Sequence, residues 1–201
     1  MATRKKNDPK TDIINAALEL APSHGWSLLS FADIADGAGV TLGELHSHFP
    51  TKSAILDAFM RDIDQAVLRE RDTSGTQSVR DRLFDIVMRR FDALAPHRDA
   101  VQAILRDLAL DPCIALVLIP GFWRSVTWML EAADVSAFGF AGLVRCKGLS
   151  VLYLNAFRVW LSDDTEDFSE TMATLDGGLR QADRLLCALK FGCDDAEARP
   201  V

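Results

Sequence analysis

The residues best suited to chemistry in this chain lie close together, and they suit hydrogen bonding to nucleic acid. The run Thr41-Leu42-Gly43-Glu44-Leu45-His46-Ser47-His48-Phe49 places Thr41, Leu42, Gly43, His46 and Ser47 as candidate contacts to base edges and phosphates, with Ser30 upstream as a further candidate. Lys52 follows at the start of the next helix, where its charge and a backbone N–H are expected to clamp a phosphate. Arg4, Lys5 and Lys6 form a basic arm expected to lie along or in the minor groove. The nine-residue run itself holds no Lys or Arg. Up to residue 60 the basic side chains are Arg4, Lys5, Lys6, Lys10 and Lys52, against seven acidic ones, so phosphate neutralisation must come mainly from the arm.

Such contacts need a scaffold, and the flanking residues specify one. Ser30 is an N-cap with Asp33 three residues on, and Phe31, Ile34 and Ala35 share a helical face. Gly37 and Gly39 supply a turn where positive φ is allowed. Thr41 caps a second short helix that Pro50 stops. Glu44 stands at the capping-box position and is expected to bond back toward Thr41. Facing DNA instead, its carboxylate would be repelled unless it accepted from a cytosine amine. Two short helices over a tight turn match a helix-turn-helix, whose second helix enters the major groove.

The segment from Ile13 to Leu56 resembles the N-terminal domain of the TetR family of transcriptional repressors. The resemblance rests on IINAALELAPSHGW, FADIADGAGVTLGEL and HFPTKSAILDAF in order, with Ile34-Ala35, Ala38-Gly39-Val40, Gly43, Leu45, His48-Phe49 and Lys52 in register. Where Glu44 stands the family usually has a small residue or Thr, and where His46 stands, Tyr. The resemblance implies an all-α protein: a three-helix helix-turn-helix head and a helical body for ligand binding and dimerisation. It further implies a homodimer that binds a palindromic site on double-stranded DNA, probing two half-sites one turn apart.

The bulk properties fit. With 201 residues, 49% of them hydrophobic, the chain can build a sizeable core. The polar start MATRKKNDPK does not read as a signal peptide, and the most apolar run, Cys113 to Trp123, has about half the length a bilayer span needs. A cytoplasmic protein without membrane insertion is expected. Cys113, Cys146, Cys187 and Cys193 are scattered, so neither zinc nor a disulfide framework is expected. There is no P-loop, dinucleotide fingerprint or G-x-S-x-G elbow, and neither an enzyme nor a cofactor is expected. The acidic run Asp163-Asp164-Thr165-Glu166-Asp167 reads as charge at a helix N-terminus.

The expected organisation is a disordered arm over 1–10, the head over 11–56, the body over 57–190 and a frayed tail over 191–201. Thr73 to Gln77 marks a loop, and the remainder reads as helix. In the last helix Phe168, Met172, Leu175, Leu179, Ala182, Leu186 and Leu189 alternate spacings of four and three. That heptad stripe is expected to form a dimer seam with the preceding helix, the alternative being packing on the same chain. The body is rich in aromatic residues. Phe91, His97, Phe122, Trp123, Trp128, Tyr153 and Phe157 are candidates to hold an apolar small-molecule effector between helices. Val79 to Leu186 also resembles the C-terminal domain of ubiquinone-biosynthesis accessory proteins. That resemblance implies, as the alternative function, a TetR-type fold that carries isoprenoid or other lipid without binding DNA.

Overall fold

The computed structural model describes residues 8–69, 77–110 and 112–188. Arg4, Lys5, Lys6, the loop from 73 to 76, Leu189 and the tail lie outside them. Among the described residues the elements are helices: α1 (Pro9–His24), α2 (Phe31–Ala38), α3 (Leu42–His48), α4 (Lys52–Arg69), α5 (Val79–Leu94), α6 (Arg98–Leu110), α7 (Pro112–Ala132), α8 (Gly139–Trp160) and α9 (Ser169–Ala188), with a 3-10 turn at Ala95–His97. None of them is long and apolar enough to cross a membrane.

Local chemistry accounts for most boundaries. Asp8 caps α1 and Pro9 occupies its first turn, so Pro9 and Lys10 belong to the helix rather than to the arm. Ser30 and Asp33 form a complete capping box on α2. Gly39 ends α2 at φ 68°, in the left-handed region. Gly37, read as part of the turn, instead lies within α2, where a Cβ would come 3.2 Å from Leu20 Cδ1 of α1. Thr51 Oγ1 accepts from Ala54 N and Ser78 Oγ from Asp81 N, which starts α4 and α5.

The chain divides into two compact units, Met1–Ile63 with Leu94–Phe122, and Asp64–Ala93 with Trp123–Val201. This differs from a head ending at residue 56, because α6 packs on α1 and joins the first unit. The core of the first unit includes Ile13, Ala17 and Ala21, spaced one turn apart on α1, together with Trp26, Leu29, Ile34, Leu45, Phe49 and Ile55.

The second unit is built around α8 and α9, which pack on each other. Gly178 lies at that contact, where a Cβ would fall 2.7 Å from Leu152 Cδ2 and oblige that side chain to shift. Phe91 of α5 stacks on Tyr153 and Trp160 of α8 with ring centroids 5.5 and 5.7 Å apart, and Phe157 stacks on both α8 rings. Beside the stack lies a buried polar network. Arg90 of α5 pairs with the Asp64 carboxylate, its Nε donates to Tyr153 Oη at 3.3 Å, and Ser125 Oγ of α7 donates to Asp64 at 2.8 Å.

The link from α8 to α9 is held by Asp163. Its carboxylate is buried and accepts from Thr165 N and Oγ1 and from Thr171 N and Oγ1, the last two at 2.8 and 2.7 Å. The acidic run is therefore a cap that reaches into α9 more than a set of charges spread along a helix dipole. Burial pushes this carboxyl upward, but the hydrogen bonds outweigh it and hold it at about 2, below its ordinary 3.8. A depressed carboxyl contributes stability above its unfolded value and loses it as pH falls through the folded one. Denaturation midpoints followed by circular dichroism should therefore drop between about pH 4 and pH 2, more steeply for the native chain than for Asp163→Asn. Equal slopes would remove Asp163 from the acid transition.

Candidate nucleic-acid interface

The helix-turn-helix presents α3 with Leu45 and Phe49 buried underneath. One turn apart on the opposite side stand Gly43 and Ser47, flanked by Glu44 and His46. Leu42, Gly43, His46 and Ser47 are all exposed, and Leu42 keeps 54% of its surface open. A Cβ on Gly43 would meet nothing closer than Thr41 Oγ1 at 3.9 Å, so the fold itself tolerates a side chain there.

Hydrogen bonding refines the candidates. Thr41 Oγ1 accepts from Glu44 N at 3.1 Å, which leaves its O–H as a donor for a phosphate or base. Ser47 Oγ donates back to Glu44 O at 2.7 Å, so this hydroxyl faces outward as an acceptor. Ser30 has both hydrogen-bonding roles engaged with Asp33: its Oγ accepts from Asp33 N at 3.1 Å and donates to Asp33 Oδ2 at 2.6 Å. Those bonds hold the Asp33 carboxyl below its ordinary value, and Ser30 serves the helix cap more directly than a DNA contact.

Lys52 takes a role different from the expected phosphate clamp. Its Nζ donates to Trp26 O, Leu29 O and Ser27 O at 2.8, 3.0 and 3.2 Å, and lies 5.6 Å from the Trp26 ring centroid. An ammonium has three protons, and all three are directed at the α1–α2 loop. Burial keeps this lysine below its usual value, with Asp107 acting in the opposite direction. Asp107 of α6, which pattern reading did not single out, fastens the same loop by accepting from Ser27 N at 2.7 Å. No local signal links positions eighty residues apart; only the packing of α6 on α1 brings them together.

Lys52→Ala should therefore destabilise the first unit by about 1.5–3 kcal/mol, the range for hydrogen bonds from a charged group. The slope of log affinity for DNA against log salt should stay unchanged. A slope shallower by about one unit would return Lys52 to a phosphate contact.

The ligand candidates divide between the two units, His97 and Phe122 in the first and the rest in the second. Phe91, Tyr153 and Phe157 stack on one another, and the Tyr153 hydroxyl is engaged by Arg90. Trp128 is half exposed, and Phe122 and Trp123 are partly buried. His97 belongs to the first unit, edge-on to Phe59 at 5.2 Å. It lines a groove of about 200 Å³ with Leu18 and Glu19 of α1 and Asp99 of α6, a mixed polar surface rather than an apolar chamber. Among the described residues no group of His, Cys, Asp and Glu is arranged to hold a metal ion.

The dimer candidates also need correction. Leu175 and Leu179 are 1% and 4% exposed within the single chain, so the centre of the α9 stripe is consumed by intramolecular packing. Phe168, Met172 and Ala182 are partly buried, and the side chain of Leu186 lies outside the described residues. The open stripe runs instead along α8. Phe140, Val144, Lys147, Val151, Leu154 and Arg158 are exposed at alternating spacings of four and three, with Phe140 at 76% and Val151 at 68%. On α9 the exposed Ala173 and Gly177 add small residues that permit close approach of another helix. The stripe on α8 was missed because Lys147 and Arg158 interrupt its apolar pattern.

Residues 13–59 match the model of the bacterial regulatory proteins of the tetR family. The chain is similar to the HTH-type transcriptional repressor KstR2 of Mycobacterium tuberculosis, 30% identical over 97 residues, covering 47% of this chain and 48% of that protein. To KstR2 of Rhodococcus jostii it is 31% identical over 108 residues, 52% of either chain. The chain thus spans about half the length of the curated relatives it matches. Among solved structures, a TetR transcriptional regulator from Nitrosomonas europaea superposes with TM-score 0.72 at 25% identity, covering 88% of this chain and 98% of that one. The fatty acid degradation regulator FadR from Bacillus halodurans shares the fold, with TM-score 0.56 at 22% identity over 88% of this chain and 95% of that one. The fold is that of TetR-type regulators, residues 13–59 are similar to the family's helix-turn-helix domain, and these relatives are transcriptional regulators.

Proposed function

We propose that this protein is a ligand-responsive transcriptional repressor that binds a palindromic operator as a homodimer. The observation that carries the reading is α3: a capped helix, seated on Leu45 and Phe49, with Gly43, His46 and Ser47 open to a groove. The head's match to the tetR family model supports it. Two-fold pairing along the exposed stripe of α8, with the small residues of α9, provides the second reading helix that a palindrome demands. The effector is an apolar small molecule held by the second unit, whose core joins the stacked rings of Phe91, Tyr153, Phe157 and Trp160 to aliphatic side chains.

The testing experiment is selection from a random duplex library with purified protein at low salt, run beside organic extraction of the same preparation. Enrichment of a palindrome with half-sites about 34–36 Å apart supports the repressor. No enrichment, with an isoprenoid or fatty lipid co-purifying, transfers the assignment to the alternative, a lipid carrier that does not bind DNA. Because the head is poor in basic residues, the affinity should depend only weakly on salt.

A further inference from the structure

The two helices of the helix-turn-helix start with the same device, a hydroxyl N-cap and a carboxylate three residues on, yet only one closes. In α2, Asp33 Oδ2 accepts from Ser30 N at 3.0 Å and from Ser30 Oγ. In α3, Thr41 Oγ1 accepts from Glu44 N, but the Glu44 carboxylate returns no bond to Thr41. Among the described residues that carboxylate has no hydrogen-bond or ion-pair partner. It flanks the outward line of Gly43 and Ser47, and beside it Ser47 Oγ has already spent its proton on Glu44 O. This part of the reading face therefore offers acceptors, and α3 holds no Lys or Arg with which to donate to guanine. In the major groove, cytosine N4 and adenine N6 are the donors, and a carboxylate, which cannot donate to adenine N7, matches cytosine.

We propose that Glu44 is a specificity-determining residue that accepts a hydrogen bond from the N4 amine of a cytosine, so that each operator half-site carries a C·G pair at that position. The inference rests on the repressor reading and identifies what its recognition helix selects. A carboxylate near phosphates also disfavours every site that lacks this amine, so Glu44 trades general affinity for discrimination.

Library selection with the native chain and with Glu44→Ala and Glu44→Gln tests it. Thermal melts by circular dichroism should match closely across the three, since the half-buried side chain makes no hydrogen bond or ion pair in the fold. The native protein should enrich one symmetric C·G position that Glu44→Ala leaves degenerate and Glu44→Gln shifts toward A·T, because Gln pairs with adenine N6 and N7. On the selected operator, replacing that cytosine by 2-pyrimidinone, which lacks the amine, should weaken the native protein about tenfold and Glu44→Ala hardly at all. Identical motifs for the native protein and Glu44→Ala, or indifference of the native protein to loss of the amine, would overturn the assignment while leaving the repressor reading intact. Absence of any enriched sequence would overturn both.

Discussion

A Val151→Glu, Leu154→Glu double variant should sediment as a monomer at micromolar concentration, while the native chain sediments as a dimer. Both side chains are more than half exposed in the single chain, so the fold accepts the charges, and helical content should be retained. In a two-fold bundle the same positions meet their copies, and four carboxylates would enter the seam, more than Lys147 and Arg158 on the same stripe can pair without giving up solvent. Each uncompensated charge costs several kcal/mol, enough to shift a micromolar dimer beyond reach. Operator affinity should fall with it, because one head reads only one half-site. A variant that remains dimeric, or a native chain that is monomeric at the same concentration, would place the interface elsewhere. Charges at Leu179 are a poor substitute for this test: that side chain packs inside the protomer, and its replacement would unfold the second unit.

Arg90→Met should destabilise the second unit by about 3–5 kcal/mol, the cost of stranding a buried partner charge. The stranded group is Asp64, 8% exposed, left with Ser125 Oγ as its remaining donor in the network. Adding Asp64→Leu should recover most of the loss, because an apolar pair of similar volume removes the desolvation cost of both ions. Urea denaturation of the single and double variants reads the difference directly. A single variant within about 1 kcal/mol of the native chain would mean that the network does little for stability.

The amino-acid sequence alone determined the features whose causes are short in range. Capping at Ser30 and Thr41, the left-handed turn at Gly39 and the four-residue spacing of Ile55, Phe59, Ile63 and Val67 are all interactions within one or two helical turns. Their physics therefore lies in neighbouring residues and can be read from them, and with them the helix-turn-helix. Tertiary structure decided how long side chains and helix faces are used. Lys52 has the charge of a phosphate clamp, but three carbonyls from a loop some twenty-five positions upstream satisfy its protons first. Asp107 matters only because α6 lies against α1. The stripes of α8 and α9 both have a heptad spacing, and spacing cannot tell a seam that meets the same chain from one left for another. That choice is made by the close approach of α8 and α9 at Gly178, which buries Leu175 and Leu179 and leaves Val151 and Leu154 outside.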